Sequence, residues 1–310
     1  MNFLSLSKNL KEGRLPAYCI YGEDEYLCAA ALAQIVGLVA FCPELNVSFL
    51  AAPQSAREIA EAASQLPIGE LRVTVVKEYG GKDFDAVNKY LESPDPSNVL
   101  VFYYPGGEYP PKLKGAEPVD CRKLDGGTLA RWIAAKLDVS QDGAYLLAEL
   151  CSQNMSRINA EAEKLKSYKP GEKLTAAEVA ELVAPDAEYR IYKLADAAAK
   201  GDGTKAFSLA DAFIAEKMAP VALISAVCTH FRRLLYVSIN GAGEETARAL
   251  GVKPYALEMS ARQARSFTQR SLKKILDTLH AAELGVKSGK IDDCGALNLA
   301  VAEIVNLSRR

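Results

Sequence analysis

The sequence predicts an α/β domain built on a parallel sheet, followed by an all-α remainder. Three observations carry this reading. Strand-like runs alternate with helix-period segments over the first 121 residues, nothing from Gly127 onward reads as a strand, and a 310-residue chain that is 49% hydrophobic and 25% charged can bury two or three cores.

Taken in order, Ala17-Tyr18-Cys19-Ile20-Tyr21 reads as a buried strand, turning at Gly22 into a helix from about Asp24 to Val39. Val47 to Leu50 is a second short strand, and Ser55 with Glu58 three residues on has the capping-box spacing that opens a helix to about Ser64, which Leu66-Pro67-Ile68-Gly69 stops. Leu71 to Val76 is rich in β-branched residues and reads as a third strand, Phe84 to Leu91 as a short amphipathic helix, Asn98 to Tyr103 as a fourth strand, and Pro118 to Cys121 as a last one. Helices follow at 128–137, 143–151, 154–168 and 176–183, the last opened by Thr175 with Glu178. After Ala184-Pro185-Asp186 longer ones fall near 190–199, 204–216, 220–239, 244–250, 254–265, 270–288 and 293–308, punctuated by Gly201-Asp202-Gly203, Pro220 and Gly241/Gly243. The expected domains are 1–122, 123–185 and 186–310.

Composition excludes several classes of function. The N-terminus lacks the basic-then-apolar order of a signal peptide and the apolar stretch Cys28 to Cys42 is too short to span a bilayer, so a cytoplasmic location and no membrane partner are expected. Seven cysteines at 19, 28, 42, 121, 151, 228 and 294 show no C-x-x-C spacing and read as buried free thiols, with no metal site. His230 and His280 both sit in helical patterns and read as packing residues. The net charge of -2 is uneven: residues 1–121 carry 10 basic and 16 acidic side chains, 122–185 carry 9 and 9, and 186–310 carry 18 and 14. No segment has the dense basic stripe of an autonomous DNA-binding domain, so any nucleic-acid contact is shared with partners.

The turn after the first strand stands where a phosphate loop would. Such a loop needs glycines, a Lys for the β/γ-phosphates and a Ser/Thr for magnesium. Here Gly22 is followed by Glu23, Asp24 and Glu25, and no Lys occurs before Gly37. An acidic helix N-terminus stabilised by the helix dipole is the simpler reading. The fourth strand likewise ends in Tyr103-Tyr104-Pro105 where a nucleoside triphosphatase offers Asp and Glu. Neither catalytic residues nor a bound cofactor are expected.

Together, Pro16 to Leu27, Leu66-Pro67 before a strand, Trp132-Ile133, Glu163-Lys164-Leu165 with Tyr168, Leu174-Thr175 with Glu178-Val179, Ile191-Tyr192 with Leu194 and Asp196-Ala197, Phe231-Arg232 with Leu234-Leu235, and Gln263-Ala264-Arg265 resemble the delta subunit of the bacterial DNA polymerase III clamp loader. The similarity runs nearly end to end. It implies a degenerate AAA+, P-loop NTPase-like domain, a helical lid and a helical collar that packs with the loader's ATPase subunits. It also implies a non-catalytic role in DNA replication: gripping the sliding clamp and holding its ring open for loading onto primer-template DNA, with polymerase chemistry in another subunit.

The family's grip maps onto Pro67 and Ile68, flanked by Leu66. Aromatic residues often fill that tip, and Ile68 and Gly69 offer less surface. Burying Leu66 and Ile68 would contribute about 3–6 kcal/mol, short of the roughly 8 that micromolar binding needs, so Gln65, Glu70 and Arg72 are expected to share the contact. The competing reading is a turn whose Leu66 and Ile68 tuck into the core. In the collar, Arg232, Arg233, Arg262, Arg265, Arg270, Lys273 and Lys274 are candidates for contact with DNA or neighbouring subunits, set against an ordinary solvated surface; Lys287 and Lys290 equally complement a helix end. Two other functions stay open: an ATPase with an atypical nucleotide site, and a helical scaffold unrelated to replication.

Overall fold

The computed structural model describes residues 1–215, 219–252 and 254–308, and the chain divides into two compact units, Met1–Leu124 and Asp125–Arg310. In the first, β1 (Ala17–Gly22), β2 (Val47–Ala51), β3 (Arg72–Lys77), β4 (Asn98–Pro105) and β5 (Glu117–Asp120) form one sheet in the order β2-β3-β4-β1-β5, every pairing parallel. Ala17 pairs with Leu100, Val73 with Val99, and Tyr18 with Glu117. The inner strands are buried along nearly their whole length, which is why they read as continuous apolar runs.

The helices α1 (Phe3–Glu12), α2 (Glu25–Val36), α3 (Pro43–Asn46), α4 (Ala56–Ala63) and α5 (Asp85–Leu91) cover the sheet. Ala17, Cys19, Val76, Leu100 and Phe102 pack with Ile59 and Ala63 of α4 and Val87 of α5. The alternate residues Tyr18, Ile20, Val75 and Val101 are buried too and belong to the opposite face. Neither α1 nor α3 is among the predicted helices. The first has only Phe3 and Leu6 buried and is started by Asn2, whose Oδ1 accepts from the Ser5 N–H at 3.0 Å; the second is a single turn led by Pro43. The capping box at Ser55 is half formed: its hydroxyl accepts from the Glu58 N–H at 3.2 Å, but the Glu58 carboxylate takes the N–H of Gln54.

The second unit contains α6 (Gly126–Lys136), α7 (Gln141–Leu150), α8 (Met155–Tyr168), α9 (Ala176–Leu182), α10 (Ala187–Ala199), α11 (Gly203–Ala215), α12 (Pro220–Asn240), α13 (Glu244–Leu250), α14 (Pro254–Ala264), α15 (Gln269–Lys287) and α16 (Asp293–Ser308). Position 216 of the expected 204–216 helix lies outside the described residues. Thr175 and Glu178 complete their capping box in both directions, and a lone parallel bridge joins Val139 to Leu174. At the centre, Leu223, Ile224, Val227, Phe231 and Leu234 of α12 are buried against Leu272, Ile275 and Leu279 of α15 and Leu297, Val301 and Ile304 of α16. Among the described residues α12 alone is long and apolar enough to cross a membrane, and these contacts make it a core helix.

All seven cysteines are free, but the expectation that they are buried fails at two: Cys42 is half-buried in the loop before α3, and Cys294, in the first turn of α16, is exposed. His230 of α12 is a packing residue of an unusual kind. It is buried, one ring nitrogen lies 2.5 Å from Oε1 of Gln263, and burial depresses its pKa to about 4, offset in part by that hydrogen bond and reinforced by Arg233. Below pH 6.5 the unfolded chain binds a proton that the folded chain refuses until about pH 4, so stability falls through that window. The expected loss is about 3 kcal/mol, measurable as a drop in the urea midpoint of this unit between pH 7 and pH 4.5 that His230→Gln largely removes.

Candidate functional site

The loop 64–71 between α4 and β3 is short, carries Pro67, and is braced from three sides. Asn46, the last residue of α3, is only 1% exposed. Its Nδ2 donates to the carbonyls of Phe41 (2.9 Å) and Ile68 (2.8 Å), and its Oδ1 accepts from the Ile68 N–H at 2.7 Å. Arg72 donates through Nη2 to Gln65 Oε1 at 2.8 Å and through Nη1 to the Leu45 carbonyl at 3.1 Å. The hydroxyl of Tyr90 in α5 donates to the Ala63 carbonyl at 2.9 Å, fixing the end of α4.

On this frame the apolar side chains point outward. Leu66 is 75% and Ile68 53% exposed, while Ala63 before them and Leu71 after them are the residues that enter the core. The core-tucking reading of Leu66 and Ile68 is therefore wrong. The frame also brings up a side chain from elsewhere in the sequence. Phe41 is 62% exposed, and a Cβ built on Gly69 would sit 3.2 Å from its ring; with φ +116°, Gly69 is both the conformation and the gap that let the ring lie against the tip. Leu45 is exposed as well. Contiguous exposed apolar surface of this kind, rimmed by Gln65, Glu70 and Arg72, is what protein interfaces use.

Phe41, Leu45 and Asn46 were not among the expected site residues. Their only trace in the sequence is an apolar Phe41 beside Cys42-Pro43, outside any element. Replacing Asn46 by alanine removes three hydrogen bonds from a buried side chain and is expected to destabilise the first unit by about 2–3 kcal/mol. Urea unfolding reads the loss; retained stability would mean that the loop is held by other contacts.

At the carboxyl end of β1, Gly22 (φ +135°) lies against the chain leaving β5: a Cβ there would come within 2.4 Å of the Cys121 carbonyl carbon and 2.6 Å of the Arg122 nitrogen. The Asp24 N–H donates to the Cys121 carbonyl at 3.3 Å, and Asp24 Oδ1 accepts from the Leu27 N–H at 3.1 Å, capping α2. Glu23 and Glu25 are exposed. Beside them Arg122 holds the Asp120 carboxyl below the usual carboxylate range through a bidentate contact. The turn spends the Asp24 N–H internally and faces outward with the carboxylates of Glu23 and Glu25.

The basic residues of the second unit spread over three helices, Arg232 and Arg233 on α12, Arg262 and Arg265 near the end of α14, and Arg270, Lys273 and Lys274 on α15. Lys274 pairs with Glu303 at 2.9 Å and Lys287 with Glu283 at 2.7 Å; Arg232, Arg265 and Lys273 are exposed. Among the described residues no group of three or more His, Cys, Asp or Glu side chains could hold a metal ion.

Residues 188–304 match the family model of the DNA polymerase III delta subunit, C-terminal domain. The DNA polymerase III subunit delta of Bacillus subtilis (strain 168) is 23% identical, aligned over 98% of this chain and 97% of its own. The chain is thus similar to a DNA polymerase III delta subunit along nearly its whole length. The solved structure of the Bacillus subtilis DNA clamp loader delta protein superposes with a TM-score of 0.83 at 23% identity, covering 98% of this chain and 99% of that one. The chain therefore shares the fold of that clamp loader delta protein, with the five-stranded parallel sheet in its first unit.

Proposed function

We propose that this chain is the non-catalytic clamp-loader subunit that binds the sliding clamp and opens its ring for loading onto primed DNA. The observation that carries the reading is the apolar tip of Leu66, Pro67 and Ile68, held outward by Asn46 and widened by Phe41 and Leu45. Burying the four large side chains would contribute about 6–12 kcal/mol, against the roughly 8 of a micromolar complex. A loop already held in place loses little conformational freedom on docking. Phe41 supplies the aromatic surface that the tip sequence itself lacks, while Gln65 and Arg72, bonded to each other, act at the rim.

The helices α6 to α9 serve as a lid (123–185) and α10 to α16 as a collar (186–310) docking the loader ATPases. The turn at Gly22 to Glu25 takes no nucleotide, because it has no Lys, its exposed Glu23 and Glu25 repel a triphosphate, and the Asp24 N–H is used internally. DNA contact within the assembled loader is left to basic side chains of the collar, of which Arg232, Arg265 and Lys273 are exposed; the chain works in the cytoplasm. An atypical ATPase is the competing reading, and it requires ATP to bind the isolated chain.

Ring opening is testable directly. With a fluorophore pair placed across one interface of the clamp, adding this chain without ATP is expected to separate the pair. Binding that left the pair together would reduce the role to that of a tether, and a saturable micromolar affinity for ATP would favour the ATPase reading.

A further inference from the structure

Two of the free cysteines, far apart in the chain, meet at the Gly22 turn. Cys28, in the first turn of α2, and Cys121, the residue after β5, are both fully buried. The Cys28 thiol donates to the Gly22 carbonyl at 3.6 Å, and Gly22 lies so close to Cys121 that a Cβ on it would fall 2.4 Å from the Cys121 carbonyl carbon. Asp24 ties the two backbones together, its N–H donating to the Cys121 carbonyl at 3.3 Å and its carbonyl accepting from the Cys28 N–H at 3.0 Å. Within this frame the two thiols are in hydrogen-bonding contact. The contact holds the Cys28 pKa below the ordinary thiol value, against burial and the carboxylates of Asp24, Glu25 and Asp120, while the same contact and burial push that of Cys121 up. One sulfur is thereby the nucleophile and the other keeps its proton. Burial alone pushes the thiol of Cys19 up to about 12, so it does not compete.

We propose that Cys28 and Cys121 are an oxidative modification site, converted by hydrogen peroxide into a reversible disulfide that staples the start of α2 to the end of β5. The Cys28 thiolate attacks one peroxide oxygen, the O–O bond breaks, and Cys28 sulfenic acid and hydroxide result. The Cys121 sulfur then attacks the Cys28 sulfur: the S–S bond forms, the S–O bond breaks, and the oxygen leaves as water with the Cys121 proton. Overall, two thiols and one peroxide give one disulfide and two waters. Hydrogen peroxide is close to water in size, and the pair lies one turn below the exposed Glu23 and Glu25, so local opening of the first turn of α2 admits it. The bond closes residues 28 to 121 into one ring that contains β2 to β5 and the loop 64–71, which favours the folded unit by restricting the unfolded chain. That loop enters β3 at the amino end of the parallel strands, whereas Gly22 leaves β1 at the carboxyl end, so the staple leaves the tip free.

The test treats the reduced full chain with hydrogen peroxide, unfolds it, blocks the remaining thiols with iodoacetamide and maps every cysteine by peptide mass spectrometry. The expected product is a monomer in which the Cys28 and Cys121 peptides are joined, lighter by two hydrogen atoms, and separated again by dithiothreitol, while Cys19 is recovered alkylated. Two variants separate the roles. Cys121→Ala should leave Cys28 as a sulfenic acid that dimedone traps, whereas Cys28→Ala should leave Cys121 a free thiol. Recovery of both cysteines as free thiols at a peroxide dose that fully oxidises the exposed Cys294 overturns the proposal, and so does linkage of either one to a different cysteine.

Discussion

Replacing Leu66 and Ile68 together by serine should weaken binding of the sliding clamp by about 10²- to 10⁴-fold, the equivalent of the 3–6 kcal/mol that burying the two side chains supplies. Both are exposed in the free chain, so the unfolding midpoint should hardly move. That separation of binding from stability distinguishes an interaction tip from a structural turn, in which the same change would act on folding. Phe41→Ala should add a further loss of about tenfold or more, because the ring lies against Gly69 and presents its other face to solvent. A double mutant that bound the clamp normally would remove the tip from the account.

The second large effect belongs to Gly22. An alanine there would place Cβ within 2.4 Å of the backbone carbon of Cys121 and 2.6 Å of the nitrogen of Arg122, at a φ of +135° that side chains rarely adopt. Backbone on both sides cannot move as a side-chain end could, so Gly22→Ala is expected to destabilise the first unit by about 4 kcal/mol or more, among the largest single-residue effects. Denaturant unfolding of the full chain should show the first unit melting early or failing to fold. A variant within about 0.5 kcal/mol of the parent would mean that the chain after β5 does not seal this turn. Gly22 therefore acts as a close-approach glycine that lets β5's continuation cross the end of β1.

The strands were legible in sequence because burial on both faces forces runs such as Val73 to Val76 and Val99 to Phe102, and the helices because Thr175, Pro220 and Gly241 mark their ends. The first helix escaped although Phe3, Leu6 and Leu10 are spaced as one helix face, because it lies ahead of the strand and helix alternation that begins at Ala17. The site was half legible. Leu66 to Ile68 stood out as an apolar, proline-pinned turn, but nothing local says that Asn46, 22 positions earlier, bonds Ile68 twice, or that Phe41 arrives on the same surface. Such long-range hydrogen bonds leave no periodic trace. The pairing of Cys28 with Cys121 was hidden for a related reason: in sequence each is one scattered thiol, and only the turn at Gly22 brings the start of α2 and the end of β5 together.

The central claim is that a free, nucleotide-independent surface at the tip takes the sliding clamp. It is tested most directly by titrating purified clamp into the isolated wild-type chain in the absence of ATP, with binding read by calorimetry. A dissociation constant of about 1 µM or tighter is the predicted result. No heat and no co-migration at about 100 µM clamp, with the chain shown to be folded, would contradict it.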